Sequence, residues 1–292
     1  MKTMLLITAL TVACRFSGAA APLTESIFTE IINEVNTLAA DGNATPAKMD
    51  EVLKAPERVR TGPQSRAELT APDQTITRVG ANTVFSYADS GRSLNLEQGN
   101  LLFHAPKGLG GGTIKSGGAA AAVLGTTLIV SATSSGGFKV ILLEGRGRVT
   151  LPNGSSAMLK AGQLVFVLPG GKLSPVLNIN LGKLVDGSLL VKGFSHALSS
   201  MPLIFAAVQD QNSKLKSGSA TDTGLTPGHY LNPPIPGNGV DTLPPGTYQI
   251  AVPQPLSPSQ YNNAVSGPPG SKPGAPGGTG GRGIVITTGP TG

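Results

Sequence analysis

The sequence has a single cysteine, Cys14, no tryptophan, and only 8 Phe and 4 Tyr in 292 residues. One thiol cannot close a disulfide within the chain, so the core is expected to hold by burial alone. With so few rings, a surface built to stack bases or sugars is poorly supplied. Charged residues make up only 13% of the chain and form no run of lysines or arginines, although the formal net charge is +6. The positive residues are therefore expected to be scattered over a solvated surface, and nucleic acid is not expected as a partner. No apolar stretch reaches the ~20 residues that cross a bilayer as a helix, so no integral membrane span is expected.

Chemistry-bearing constellations are also missing. His104, His196 and His229 are far apart, with no carboxylate or cysteine at ligand spacing, and read as surface or edge histidines. The glycines after Lys107 lack the Gly-Lys-Ser/Thr ending of a phosphate loop, and no Gly-x-Ser-x-Gly elbow occurs. Glu144 could meet Glu97 or Glu68 across strands, as paired glycosidase carboxylates do, but these residues read more simply as turn groups that satisfy backbone. No catalytic residue, metal or cofactor is expected, and the chain reads as a non-enzyme.

Glycine (40) and proline (24) are abundant, and 14 of the prolines follow residue 217. That distribution predicts one core of about 150 residues and an unpacked tail. The N-terminus has the form of an export leader. Lys2 is followed by an apolar run over Met4–Ala13 and then by small residues through Ala21, predicting a signal peptide over 1–20. Removing Lys2 and Arg15 lowers the formal charge from +6 to +4, since the first acid is Glu25. Thr11-Val12-Ala13-Cys14 supplies the alternative, a lipoprotein anchored through Cys14.

From about Arg60 to Pro169, short apolar segments alternate with Gly-, Asn- and Ser-rich breaks, which predicts many short strands. Arg66–Thr70 reads as a half-buried strand, with Ala71–Gln74 as the turn after it. Thr75–Val79 and Thr83–Tyr87 are predicted to pair across Gly80-Ala81-Asn82, with Phe85 and Tyr87 on one face. Leu96–Phe103 and Leu159–Phe166 look like copies of one unit: strand, glycine, then an apolar strand. Leu101–Phe103 and Val140–Leu143 are apolar at successive positions, as strands covered on both faces are. The loop Pro106–Gly112 is expected to be mobile. Ile27–Leu38 fits either a helix face or a strand. Helix-like spacing returns at Leu181–Leu190 and from Pro202 to near Gly218, and the residues from Ser219 onward are expected to be disordered apart from brief extended pieces such as Thr247–Val252.

Several of these segments resemble the FecR-domain family. The resemblance lies in Val59–Leu69, Thr77–Phe85, Leu94–Gly99, Leu143–Gly145 and Leu159–Gln163. It implies an extracytoplasmic β domain over about 25–170, with Ile27–Leu38 as its opening strands. The matching positions are Arg60, Thr61, Gly62, Ser65, Arg66, Ala67, Leu69, Gly80, Asn82, Leu96, Gly99, Glu144, Gly145 and Gly162. Arg60 and Arg66 flank a turn and are read as tying carboxylates or carbonyls together.

Taken together, the expected fold is mainly β: a twisted β-helix-like coil or a two-layer sandwich, one or two short helices over 171–218, and a disordered tail over 219–292. The expected function is an exported envelope module that binds or scaffolds a protein partner through exposed strand edges or the Lys107–Gly112 loop. Two alternatives stand beside it. Family members of the iron-uptake type resemble signal relays between envelope and sigma factor, although their cytoplasmic segment and membrane helix are replaced here by the leader. A carbohydrate-binding surface would need Phe85, Tyr87 and Phe103 as its platform.

Overall fold

The computed structural model describes residues 20–134, 136–168, 171–218, 247–250 and 284–287. The leader with Cys14, His229 and most of the tail lie outside the described residues. Eighteen strands between Glu25 and Asn178 form two facing layers.

One layer consists of β1 (Glu25–Ile32), β4 (Val52–Lys54), β6 (Arg66–Thr70), β7 (Ile76–Val79), the second half of β9 (Ser93–His104), β12 (Thr127–Ala132), β13 (Phe138–Glu144), β16 (Gln163–Leu168), β17 (Lys172–Leu173) and β18 (Leu177–Asn178). The other consists of β2 (Val35–Leu38), β3 (Ala44–Pro46), β5 (Arg58–Thr61), β8 (Val84–Tyr87), the first half of β9, β10 (Gly112–Ser116), β11 (Ala119–Val123), β14 (Arg146–Thr150) and β15 (Ser156–Lys160). The chain passes back and forth between the layers, so coil and sandwich describe the same object. The resemblance-based reading of Ile27–Leu38 as strands holds. Within the tail, β19 (Thr247–Ile250) pairs antiparallel with β20 (Ile284–Thr287), and β19 covers most of the extended piece expected at Thr247–Val252.

The layer change happens at tight corners. β9 pairs through Leu94–Gln98 with β8 and through Gly99–His104 with β12, so a single strand serves both layers. Gly99 sits at that passage with φ +95°, and a Cβ there would lie 2.4 Å from the Thr83 Cα. Only glycine combines this conformation with this approach. Gly162, at φ +75° in the turn between β15 and β16, marks the layer change in the second copy of the unit, but there a Cβ would meet only the end of the Gln211 side chain, at 2.5 Å.

Gly80-Ala81-Asn82 is also such a corner, which corrects the hairpin expected there. β7 pairs with β6 and β9, whereas β8 pairs with β5 and β9 in the opposite layer. A Gly-Ala-Asn break suits a corner as well as a hairpin, and local pattern cannot say which layer the next strand joins.

Phe28, Leu69, Val79, Phe85, Leu94, Phe103 and Val140 fill the space between the layers. The outer face of the first layer is covered too. Leu102, Ile129, Ile141, Leu143 and Leu164 pack there against Leu181, Leu184, Val185, Leu190, Leu198 and Ile204. These come from α1 (Leu181–Gly187), α2 (Leu189–Lys192), α3 (Met201–Lys216) and their connections. The segment after Pro169 thus carries three helices, one of them 16 residues long, preceded by two short strands. This double covering explains the unbroken apolar runs at 101–103 and 140–143. The first layer is the covered sheet; the second, open to solvent on its outer face, is the open sheet.

Candidate functional site

The family-like positions gather mainly at corners. Thr61 Oγ1 donates to the Gly80 carbonyl at 2.6 Å and accepts from the Thr83 amide at 3.0 Å. Gly62 accepts from the Asn82 amide, and the Ser65 hydroxyl accepts from the Glu34 amide. Ala67, Leu69 and Leu96 are core residues. Gly145 closes a second set of corners, where a Cβ would lie 2.7 Å from Thr126 Oγ1. These groups hold the turns together and form no cleft. Thr83 and Thr126 do equal work, although a single threonine near a turn carries no distinguishing pattern in the sequence. The Arg60 side chain is exposed on the open sheet and has no hydrogen-bonding or ionic partner among the described residues, while Arg66 Nε donates to the Gly193 carbonyl at 3.3 Å.

A buried polar cluster lies under the start of α3. His104 Nδ1 is 2.9 Å from Thr127 Oγ1, which is 2.9 Å from Glu144 Oε1 and 2.8 Å from Ser200 Oγ, and Ser199 Oγ is 3.2 Å from His104 Nε2. Thr127 has a single hydroxyl hydrogen to give to Glu144 Oε1 or to Ser200 Oγ, and the roles of the two His104 nitrogens follow the ring's tautomer. Burial lowers the His104 pKa; burial likewise raises that of Glu144, against the Thr127 hydrogen bond.

His104 is therefore a buried histidine of a central strand, not the surface or edge residue expected, because the helices cover the face it projects from. His196 is exposed. Glu144 does not meet the other acids: Glu68 is paired with Arg78 and Glu97 with Arg58. The carbohydrate platform is not on the surface either, as Phe85, Tyr87 and Phe103 are all 2% exposed or less. No grouping of three or more metal-ligating side chains occurs among the described residues, and no helix among them is long and apolar enough to cross a membrane.

The strand edges differ sharply. β3 is three residues long and ends in Pro46; β4 is three residues long and stops at Lys54. β17 and β18 have two residues each. Short edge strands and edge prolines suppress pairing with other chains. β15 is different: its five residues, Ser-Ala-Met-Leu-Lys, pair only with β14 among the described residues. Leu151 N donates to the Ser155 carbonyl, which sets the phase of the ladder. Antiparallel alternation then turns the N–H and C=O of Ser156 and Met158 away from β14. Consistent with that phase, the Lys160 amide is taken by Gln163 Oε1 at 2.9 Å.

The Pro106–Gly112 loop, expected to be mobile, has its far end held by Arg92, whose Nε donates to the Gly111 carbonyl at 2.7 Å and whose Nη2 meets Asp73 at 2.7 Å.

Residues 57–148 match the family model described as FecR protein, which bears out the resemblance read from the motifs. Two crystal structures of a candidate anti-sigma factor from Parabacteroides distasonis ATCC 8503, at 1.65 and 2.50 Å resolution, are also similar. They share 21% and 20% identity with this chain, at a TM-score of 0.39, over 44% of its length. The match spans 62% of those chains. No protein with a curated description matches.

Proposed function

We propose that this chain, with a FecR-like segment at its centre, is an exported, non-catalytic envelope module that recognises a protein partner by pairing with the free edge of β15. The observation that carries this reading is the edge itself. Among the terminal strands of the two layers it is the longest, it has no proline, and the outward backbone groups of Ser156 and Met158 gain only water as partners in the isolated chain. Adding a strand there would satisfy them and give main-chain affinity, with the alternate side chains Ser156, Met158 and Lys160 setting specificity.

Export rests on the leader-like residues 1–20, and the fold supports a binding role over catalysis. The polar groups brought together under α3 satisfy one another, and the corner residues serve the turns. A second reading is favoured by the family match: the partner belongs to a relay that carries an envelope signal to a sigma factor.

Site-specific photo-crosslinking in the native host tests the first reading. A photoreactive residue at position 158 is expected to yield a discrete protein adduct, while one at position 49, exposed beside the short edge strand β4, yields none. Absence of an adduct at 158 would remove the proposal. Deleting the chain and finding no change in transcription would remove the relay reading alone.

A further inference from the structure

Cations far apart in sequence share one face of the fold. In β10, β11, β14 and β15, inward positions are buried or half-buried, and the alternate residues point to solvent. The register sets Lys160 beside Arg146, Met158 beside Arg148 and Arg148 beside Ala122. Ser156, Thr150, Ala120 and Lys115 form the next row. These four strands therefore turn Lys115, Arg146, Arg148 and Lys160 outward, and contain no Asp or Glu at all. None of the four cations takes part in an ion pair among the described residues, whereas Arg58, farther across the same sheet, is paired with Glu97. Like charges placed directly opposite on neighbouring strands destabilise a sheet, so Arg146 beside Lys160 costs the fold stability and returns none within it.

We infer that this face docks an acidic, extended segment of a protein partner, laid along β15 with its carboxylates over Arg146, Arg148 and Lys160. The inference rests on the edge-pairing reading and adds the partner's chemistry to it. A strand added at Ser156–Lys160 has alternate side chains on the outer side of the open sheet, about 5 Å from Met158 and Lys160 and, one strand further in, roughly 10 Å from the two arginines, a span that extended Glu and Arg side chains bridge together. At the Arg146–Lys160 end the face turns into a cleft of 490 Å³ against α3, lined also by Gln163, Asn178 and Gln211, whose amides are engaged within the chain, and by Asp210, which is paired with Lys214.

Other polyanions fit less well. The four strands carry no Phe, Tyr or Trp for a base to stack on. Among their outward residues Met158 is the one large apolar side chain, too little to anchor the face in a bilayer.

The test uses the full chain with a synthetic peptide alternating Glu and Thr, and its counterpart with Gln for Glu. The Glu peptide is expected to bind about tenfold more tightly than the Gln peptide, to weaken as salt rises, and to slow amide exchange at Ser156 and Met158. Arg146→Glu with Arg148→Glu should abolish that preference. The pair Arg146→Gln and Arg148→Gln, which adds no new charge, should reduce it. Equal binding of the two peptides overturns the inference, as does tighter binding to phosphatidylglycerol vesicles or to a single-stranded oligonucleotide. If position 158 still crosslinks a partner equally well in the charge-reversed chain, the acidic-segment inference falls while edge pairing stands. If no crosslink forms at all, both fall.

Discussion

The guanidinium of Arg78 meets the Glu68 carboxylate at 2.8 Å with both side chains closed off from solvent, and the same guanidinium clasps the helical layer. Its Nη1 donates to the carbonyls of Leu190 and Val191, its Nη2 donates to that of His196, and the group stacks on the Phe194 ring at 4.4 Å. Thr29 donates to the other oxygen of Glu68. One arginine on β7 thus satisfies the end of α2 and pins it to the covered sheet.

Arg78→Met is expected to cost about 3–5 kcal/mol, because it leaves a buried carboxylate and several carbonyls without a partner. Adding Glu68→Leu should return part of that loss by removing the orphaned charge. Urea unfolding of the two variants measures both effects; equal stability of the single and double variants would contradict the coupling.

The corners make a second contrast. Gly99→Ala places a methyl group against Thr83 backbone, whereas Gly154→Ala, at φ +84°, meets nothing within 4 Å. Gly154→Ala should cost only the left-handed backbone penalty of about 1–2 kcal/mol. Gly99→Ala should cost clearly more and lower the melting temperature further.

Stability should depend on pH through His104. Burial lowers its folded pKa, so the unfolded chain takes up the proton first. Its contribution is complete above the unfolded value near 6.5 and is lost as pH falls below it. Glu144 acts in the opposite sense. Its raised folded pKa means that the penalty for its buried charge relaxes as pH falls through that value toward 4.5. On the alkaline side, burial holds Lys139 well below its usual value, so stability should rise as pH climbs toward 10.5. Denaturant midpoints across this range check all three, and His104→Gln should flatten the decline below 6.5.

Ser199 and His104 form a serine–histidine pair, but the imidazole is oriented by a hydroxyl and Glu144 does not touch the ring. Desolvation also makes it a weak base. Ser199 should therefore remain unlabelled by a fluorophosphonate probe. Labelling that disappears in Ser199→Ala would mean that the cluster is catalytic.

Much of the fold was legible because it rests on short-range pattern. The double-sided burial of Leu101–Phe103 could be read from residue order, and so could the special place of the glycines at 99 and 162, although residue order suggests a reversal at Gly99, where β9 runs on unbroken into the other layer. The corner at Gly80–Asn82 and the burial of His104 could not, since both depend on which layer or helix the chain meets next. The basic face was hidden for a related reason. Strand alternation spaces its charges two apart in Arg146-Gly147-Arg148, and sheet pairing brings in Lys115 and Lys160 from elsewhere. In a linear reading these charges look scattered. Once β14 and β15 are placed by alternation and register, the cluster follows.

The most direct measurement is partner capture by Met158→Pro, expressed as the full chain in its native host. The Met158 amide points away from β14, so proline removes an intermolecular donor without breaking the ladder. The expected result is a chain that still folds, with a melting temperature within a few degrees of the original, and that no longer retains the protein crosslinked from position 158. Undiminished capture by the folded proline variant would contradict it.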